Sequence, residues 1–599
     1  MNGKMGCEQG KQVVPANISV RPKSVKFRDP PEDYIDAPYK RPDTAVRPSR
    51  RPQSADDIYP PRPPKTKRKD IIQDDSMFQN VDDRALLTPK PASGSVESLC
   101  SHLTDGMSDD MMKCRAFYRW ITDNISYDTA ATFQGKKKPT DPESVLRLRT
   151  TVCTGYSNLF AALCRSAGIT VETICGYSKG YDYDPEVPYV YGHATNHSWN
   201  AVHVNGDWRL VECSWGAGHI DENKKYHFDY SDCYFFMDPD QFIHSHYPFV
   251  RNEVELALCW QLLETTWSIE EFNKNVKPSS KALEWGIQFP SHKSTVFFVN
   301  GLSHITVRCP KTLLYVVSAD LTPEKGDRTK SYCFVKRKSE REYSVTIRPP
   351  NIGKYTLRIL GSAIPNDDDA ECLTSYLIKC AVTDGVVRPY PYHWGAWGLI
   401  PDFMSFGLAA CNKESDPYIS PTSNEVSLVV ATDRLIEAGA RMSHAEEIVK
   451  NCDDYVMLES SENALHVKAR LPREGFYKLK LLVKVEETNY VAVTNILLEC
   501  KVAQVNCKKF PKCYKTAREY FCRLLEPQVL ELPNNTLVSI KMKSPKVKHL
   551  VLKKQQVKQK PENGVWEFTS TTPSAGEKFL LAGNDSAGTH KGLYEFIII

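Results

Sequence analysis

The alternation of apolar and polar residues divides this 599-residue chain into a mixed N-terminal part and a strand-rich C-terminal part. Apolar residues at helical spacing predict helices over residues 109–125 and 154–167. An apolar, β-branched run at residues 169–174 predicts a strand directly after the second helix. From about residue 279 onward, helical patterns are few and short alternating strands dominate. The pattern therefore predicts a multidomain α+β protein.

One pattern recurs three times in the C-terminal part of the chain. A short strand is followed by a turn and a second strand with alternating aromatic residues, and the turns contain Gly353, Gly475 and Gly576. We interpret each unit as a hairpin of an immunoglobulin-like β-sandwich, because such a sandwich needs about 100 residues and the glycines recur at roughly that interval. The sequence therefore predicts three tandem sandwiches, at residues 279–386, 387–505 and 506–599.

The first 92 residues have a different composition from the rest. They contain 14 of the 39 prolines and almost no periodic apolar pattern, so we expect residues 1–92 to be a disordered, Pro-rich and basic region. Within it, residues 60–69 combine proline with basic residues. The default interpretation of this stretch is a solvated basic linker, and a polyproline docking segment or a nuclear signal are alternatives.

A hairpin is predicted in the middle of the mixed part. Residues 196–204 have a strand pattern, the dipeptide at 205–206 is Asn-Gly, and residues 207–215 form the predicted return strand. With that turn, His197 and Glu212 lie on the same face as diagonal neighbours, within reach of long side chains. The hairpin thus predicts a contact between an imidazole and a carboxylate.

Cys153 immediately precedes the second predicted helix. The free N–H groups and the dipole at a helix N-terminus favour an anion and lower the pKa of a thiol. Cys153, His197 and Glu212 together are the parts of a thiolate nucleophile, its base and the group that orients the base. The alternative for any free cysteine is a buried core thiol, which fits Cys164 inside the same helix better.

Composition limits the remaining possibilities. The net charge of +4 is small for this length and does not predict nucleic-acid binding. The 19 cysteines contain no C-x-x-C pair, so we expect reduced intracellular thiols and no metal or other cofactor. No apolar run is long enough to span a bilayer, and no signal-peptide pattern is present at the start.

Several motifs resemble a known family. Residues 153–156, 197–202, 206–208 and 215–218 resemble the transglutaminase-like superfamily, and residues 125–128, 235–239 and 246–248 resemble its kyphoscoliosis peptidase and hillarin branch. The resemblance implies a papain-like transglutaminase core at residues 96–260 with a cysteine nucleophile. It also implies a cytoplasmic, cytoskeleton-associated setting in muscle, such as the sarcomeric Z-disc, and filamin-type partners. In that family an aspartate usually stands where this chain has Glu212.

The expected function is therefore that of a cysteine peptidase-like enzyme that acts on amide bonds of a protein substrate through a thioester on Cys153. The same residues could serve a crosslinking transglutaminase that passes the acyl group to a lysine amine. A non-catalytic scaffold that binds cytoskeletal proteins is the third interpretation, because more than half of the chain lies outside the predicted catalytic domain.

Overall fold

The computed structural model describes residues 59–599, apart from residues 137, 222, 252, 365–369, 384, 412–415, 486–488, 504–505, 554, 559–560 and 587–588. Residues 1–58 lie outside the described residues, and so does that part of the predicted disordered region. Within the described residues, no helix is both long enough and apolar enough to cross a membrane.

The N-terminal domain consists of short helices packed around one antiparallel sheet. Its helices are α1 (Arg68–Ile71), α2 (Gln79–Leu86), α3 (Val96–Thr104), α4 (Asp110–Asn124), α5 (Thr129–Gln134), α6 (Pro142–Leu148), α7 (Cys153–Ser166), α8 (Cys213–Ala217), α9 (Pro239–Phe242), α10 (Val254–Cys259) and α11 (Ile269–Lys274). Its strands are β1 (Ser126–Tyr127), β2 (Thr150–Thr151), β3 (Val171–Ser178), β4 (His197–Val204), β5 (Asp207–Val211), β6 (Gly218–Ile220), β7 (Tyr226–Phe228), β8 (Phe235–Met237) and β9 (His246–Pro248). The main sheet has the order β8-β5-β4-β3-β9, and α7 packs against β3 and β4 over a shared hydrophobic core.

The turn between β4 and β5 sets the register that the sequence predicts. Asn205 and Gly206 both have positive φ angles, of 54° and 83°, which is typical of the two-residue turn that matches strand twist. Val204 pairs with Asp207, as expected. The predicted return strand is wrong beyond Val211, because the residue that follows caps the N-terminus of α8 and the chain turns into that helix.

Residues 59–92 are ordered against the N-terminal domain, so the prediction that residues 1–92 are disordered is wrong for this part of the region. Phe78, Val81 and Ala85 are buried in the core of the N-terminal domain, together with residues of α4 and α7. These three residues are spaced as on one face of a helix, and this signal is present in the sequence beside the prolines. Composition alone therefore led to a wrong prediction for residues 59–92, which include a helix with an apolar face.

The basic, proline-rich stretch is bound to the sheet and is not a solvated linker. The Lys65 backbone N–H donates to Oδ2 of Asp207 over 3.1 Å, and the Arg209 guanidinium donates to the Thr66 carbonyl over 2.7 Å. Asp207 and Arg209 both belong to β5, so the segment runs along this strand. Bound backbone groups of this kind explain why a stretch without a core of its own is held in place.

Three pairs of β-sheets form the C-terminal part, which confirms the prediction of tandem immunoglobulin-like sandwiches. The first pair contains β10 (Val296–Asn300), β11 (Ser303–Arg308), β12 (Val316–Pro323), β13 (Cys333–Ser339), β14 (Glu342–Ile347), β15 (Gly353–Ser362) and β16 (Glu371–Val382), with α12 (Ser280–Glu284) before it. Its sheets have the orders β10-β16-β15-β12 and β11-β14-β13, and one hydrophobic core lies between them.

The second and third pairs follow the same plan. The second contains β17 (Gly398–Leu399), β18 (Leu408–Cys411), β19 (Tyr418–Ile419), β20 (Glu425–Thr432), β21 (Ala438–His444), β22 (Val456–Ser461), β23 (Ala464–Arg470), β24 (Gly475–Lys484) and β25 (Tyr490–Cys500). The third contains β26 (Lys512–Cys513), α13 (Lys515–Glu519), β27 (Arg523–Glu526), β28 (Glu531–Leu532), β29 (Leu537–Lys543), β30 (His549–Leu552), β31 (Gln555–Gln556), β32 (Val565–Thr571), β33 (Lys578–Asn584) and β34 (Lys591–Ile598). Each pair again encloses its own hydrophobic core.

The prediction that the recurring glycine turns form hairpins is wrong. Each of these turns connects a strand of one sheet to a strand of the other sheet of the sandwich. In the first sandwich β14 and β15 belong to different sheets, and the same holds for β23 and β24 and for β32 and β33. The aromatic residue after the turn explains the repeat. The Tyr355 hydroxyl donates to the Asn351 carbonyl over 2.8 Å, and the Tyr477 hydroxyl donates to the Arg473 carbonyl over 2.9 Å. Both contacts are tyrosine corners, which brace the crossing between the sheets of a sandwich.

Arg115 on α4 pairs with the segment 59–92. Among the described cations of the N-terminal domain that do so, it is the most deeply buried. Its side chain is 1 % exposed, and its guanidinium donates two hydrogen bonds, of 2.6 and 2.7 Å, to the carboxylate of Asp82 on α2. Asp232 contacts the same guanidinium from the other side. A buried charge that loses one partner is strongly destabilising, because the remaining charge is left without compensation.

We therefore expect Asp82→Ala to lower the free energy of unfolding by about 3 kcal/mol. Asp83→Ala is the matched control, because the neighbouring carboxylate is exposed and contacts only Gln79 among the described residues. Its effect should stay within about 0.5 kcal/mol. Urea denaturation of the full chain measures both values, and equal effects would show that the segment 59–92 contributes little to stability.

Candidate active site

Cys153 is the first residue of α7, as the sequence predicts. The N-cap residue, Val152, offers no side-chain oxygen, so Cys153 lies at a helix N-terminus that no side chain caps. Gly155 allows the first turn of α7 to pack closely on β2, since a Cβ at this position would lie 2.0 Å from Oγ1 of Thr151. The Cys153 side chain is 9 % exposed. The helix thus presents a largely covered sulfur at its positive end.

His197 begins β4 and lies beside Cys153. Its Nε2 is 2.8 Å from Oε2 of Glu212, and the two side chains are almost fully buried. The imidazole is also close enough to the Cys153 thiol for its charge and its hydrogen-bonding groups to lower the pKa of that thiol. Because Nε2 is used by the carboxylate, Nδ1 is the nitrogen that is left to exchange a proton with the sulfur. The three predicted residues are therefore brought together in the expected order.

Glu212 reaches His197 by a different route from the one predicted. It does not lie on a strand diagonal, because it is the N-cap residue of α8. Its Oε1 accepts hydrogen bonds from the Ser214 backbone N–H at 2.8 Å, the Ser214 hydroxyl at 2.7 Å and the Trp215 backbone N–H at 3.2 Å. Oε2 remains for the imidazole. The side chain of a glutamate spans the cap and the imidazole at once, although the family usually has an aspartate here.

The charges of the three groups reinforce one another. Burial alone would raise the pKa of the Cys153 thiol, but the charge and hydrogen bond of His197 outweigh it, and the net pKa is lower than usual. Burial would lower the pKa of His197, yet the Glu212 and Cys153 charges raise it to about 10. Burial would raise the pKa of Glu212, but the charge of His197 and the imidazole hydrogen bonds outweigh burial and hold this pKa below the ordinary value. The site therefore favours a thiolate–imidazolium pair.

A second imidazole, His246, was not among the predicted site residues. It begins β9, which pairs with β3, and its Nε2 lies 3.5 Å from the same Oε2 of Glu212. Burial lowers the pKa of His246 to about 4, so its ring is neutral at pH 7. The residue lies within a motif that supported the family resemblance, at residues 246–248, and that motif was the available signal.

The other cysteine and histidines considered in the sequence lie in the hydrophobic core, in a ring stack and in a loop. Cys164 is fully buried inside α7, and burial raises the pKa of its thiol well above the usual value, which fits the predicted core thiol. His203 lies near the β4–β5 turn, where its ring stacks on Tyr59 at 4.0 Å between centroids. His193 donates its backbone N–H to the carbonyl of Val190 in a loop.

Cys153 and Asp182 lie near enough to Tyr127 for their charges to interact with it. Burial and the nearby Cys153 charge both raise the pKa of Tyr127, and the charge of Asp182 acts in the same direction. The loop that carries Asp182 therefore lies close to the site. Next to Asp182, the Tyr181 ring meets the Phe133 ring of α5 edge to face at 5.5 Å.

The donor atoms of His197, Glu212 and His246 lie within 4.8 Å of one another, which raises the question of a metal. The His197–Glu212 separation of 2.8 Å is that of a hydrogen bond. Two ligands of one tetrahedral zinc ion would lie about 3.3 Å apart at bond lengths near 2.0 Å. Both imidazoles also approach one carboxylate oxygen and not a common empty point. The arrangement fits a hydrogen-bonded network better than a metal site.

Comparison with known proteins agrees with this geometry. Residues 97–213 match the model of the transglutaminase-like superfamily, and residues 269–391 and 398–511 match the model of the KY-like, immunoglobulin-like domain. The kyphoscoliosis peptidase of Homo sapiens is 28% identical to this chain over 525 residues, which cover 86% of this chain and 75% of that protein.

Two further relatives are similar to this chain at comparable sequence identity. The kyphoscoliosis peptidase of Mus musculus is 27% identical over 86% of this chain and 75% of its own length. Hillarin of Drosophila melanogaster is 26% identical over 71% of this chain and 54% of its own length. The chain thus combines a domain of the transglutaminase-like superfamily with KY-like, immunoglobulin-like domains.

Proposed function

We propose that the N-terminal domain is a cysteine-dependent enzyme that attacks amide bonds of a protein substrate, with hydrolysis as its reaction. The observation that carries the proposal is the position of His197 between the Cys153 thiol and the buried Glu212 carboxylate. This order of thiol, imidazole and carboxylate is what a thiolate nucleophile requires. The relatives named as peptidases support the same reaction class.

The proposed reaction proceeds in two steps. The Cys153 thiolate attacks the amide carbonyl, and the backbone N–H of Cys153 at the start of α7 donates to the developing oxyanion. The proton on Nδ1 of His197 passes to the leaving amine, and a thioester with Cys153 remains. Water then attacks the thioester while His197 accepts a proton from it. The acid is released, the Cys153 thiolate leaves, and the thiolate–imidazolium pair is restored. Glu212 stays ionised and supports the imidazolium in both steps.

Other features bear on where the enzyme acts. The three sandwiches offer protein-binding surface, and we propose that they carry the affinity for a cytoskeletal partner of the filamin type. The resemblance of the sequence motifs to the kyphoscoliosis peptidase and hillarin branch implies a cytoplasmic, cytoskeletal setting, and we propose that setting for this chain. Transfer of the acyl group to a lysine amine would use the same thioester. Product analysis with and without an added amine separates hydrolysis from crosslinking.

A non-catalytic scaffold is the second candidate, and the low exposure of Cys153 favours it. A thiol that no substrate reaches would leave the triad intact and unused. The two candidates differ in the reaction of the folded chain with a cysteine-reactive peptide probe. Labelling that is lost in Cys153→Ala and kept in Cys164→Ala supports the enzyme. A folded chain that is not labelled at Cys153 supports the scaffold.

We expect iodoacetamide to alkylate Cys153 with an apparent pKa below that of free cysteine, which is about 8.5. The thiolate fraction is lost as the pH falls through this lowered pKa, so the alkylation rate should stay high to a lower pH than that of a free thiol. The profile belongs to the Cys153–His197 pair as a unit. In His197→Ala the apparent pKa should rise above that of a free thiol, because nothing then offsets the effect of burial. A parent profile that looks like a free thiol would refute the ion pair.

We expect Glu212→Gln to keep the fold and to lose most activity, because the amide preserves the shape and removes the charge that supports the imidazolium. An analogous exchange in a serine protease triad costs about 10⁴-fold in turnover. Glu212→Asp keeps the charge with one methylene less and should retain more activity than Glu212→Gln. Steady-state rates together with the melting temperature measure this. Equal rates in Glu212→Gln and the parent would remove Glu212 from the mechanism.

A further inference from the structure

His246 is enclosed on every side by groups of the site. Its ring stacks on Phe242 at 4.1 Å and lies 4.4 Å from the ring of Trp215, and its side chain is fully buried. The ring lies 5.2 Å from that of His197. A ring in this position could simply fill space in an aromatic cluster, or it could act on the carboxylate that it faces.

The hydrogen bonds of the ring indicate which nitrogen carries the proton. Nδ1 lies 2.8 Å from the hydroxyl of Ser245, whose oxygen also lies 3.3 Å from the Phe242 carbonyl. Nε2 is buried and makes no hydrogen bond of normal geometry among the described residues, and Oε2 of Glu212 lies 3.5 Å from it. A lone pair on Nε2 would face the carboxylate unfavourably. The favourable tautomer has the proton on Nε2 and accepts at Nδ1 from the Ser245 hydroxyl, whose single hydrogen then points to Nδ1 at 2.8 Å and not to the Phe242 carbonyl at 3.3 Å.

We infer that His246 is a positioning residue, which donates from Nε2 to Oε2 of Glu212 and thereby fixes the carboxylate that orients His197. This inference rests on the proposed function of the triad. Oε1 is held by the turn at Ser214, and the Nε2 donor of His246 adds a restraint on the second oxygen. Both oxygens of the Glu212 carboxylate are then restrained, and the orientation of Oε2 towards His197 is fixed.

The neutral state of His246 suits this task. The charged groups that face its ring are Glu212, His197 and Lys277, whose Nζ lies 4.5 Å from the centre of the Trp215 ring. Burial lowers the pKa of His246 most, the Glu212 hydrogen bond opposes this, and the positive charge of His197 lowers it further. A second imidazolium would compete with His197 for Glu212, so a neutral donor preserves the charge for the reacting pair.

Two substitutions separate a donor from a space-filling ring. His246→Gln places an amide N–H near the position of Nε2 but removes the ring, and His246→Phe keeps an aromatic ring of similar shape but removes the donor. A structural role predicts that phenylalanine is the better replacement. A positioning role predicts that glutamine is the better replacement.

The test uses the full chain and two readouts. The first is acylation of Cys153 by 4-nitrophenyl acetate, followed as release of 4-nitrophenolate, and the second is the pH profile of iodoacetamide alkylation. We expect His246→Phe to slow acylation at least about ten-fold, which corresponds to the loss of one hydrogen bond to a charged group. Its alkylation pKa should rise by about half a unit or more, towards that of a free thiol.

His246→Gln should restore acylation to within about three-fold of the parent and leave the alkylation pKa unchanged. If His246→Phe equals or exceeds His246→Gln in both readouts, the ring only fills space and the inference is wrong. Should either variant fail to fold, Ser245→Ala decides instead, because it removes the partner of Nδ1 and leaves the ring in place. Slower acylation with a raised alkylation pKa then supports the inference, and an unchanged profile overturns it.

Failure of the inference and failure of the proposed function give different results. If the parent is not acylated at Cys153, the proposed function fails, whereas the alkylation profiles still compare the variants at His246. If the parent is acylated and the His246 variants behave as a space-filling ring predicts, the proposed function stands and only the role of His246 is lost.

Discussion

The buried carboxylate of Glu212 is the group on which the organisation of the site depends. A charge removed from water is costly unless hydrogen bonds and an opposite charge compensate for it. Here Oε1 receives two backbone N–H groups and a hydroxyl from the first turn of α8, and Oε2 receives the imidazole of His197. The helix cap and the orientation of the base are therefore a single interaction, and a change that weakens one also weakens the other.

This constraint explains the local backbone. β5 must end at Val211 so that the next residue can cap α8, and the Asn205-Gly206 turn sets how far along β4 that end falls. Cys153 arrives from the opposite direction, at the start of a helix that packs on the same sheet. The nucleophile and the base thus come from two rigid elements, whereas the residue that orients the base comes from the turn between a strand and a helix.

Much of this arrangement follows from local sequence signals, and the rest does not. The helix start at Cys153 and the register of the Asn-Gly turn depend on neighbouring residues, so pattern analysis finds them. The cap at Glu212 was missed because strand alternation continues past it in the sequence. His246 was missed because β9 is only three residues long and joins the site by pairing with β3. Contacts between distant segments leave no periodic trace in the chain.

The site also depends on residues beyond the predicted end of the catalytic domain at residue 260. The Val276 carbonyl lies 3.1 Å from Nδ1 of His244, and Lys277 Nζ lies over the ring of Trp215, which follows Glu212 closely in α8. The Lys277 carbonyl in turn accepts from the Thr374 hydroxyl of β16, at 2.9 Å. The strand that builds the first sandwich and the helix that Glu212 caps are therefore joined through one residue. The first sandwich therefore contacts, through Lys277, an aromatic ring in the helix that Glu212 caps, and the N-terminal domain is not complete without the residues that lead into this sandwich.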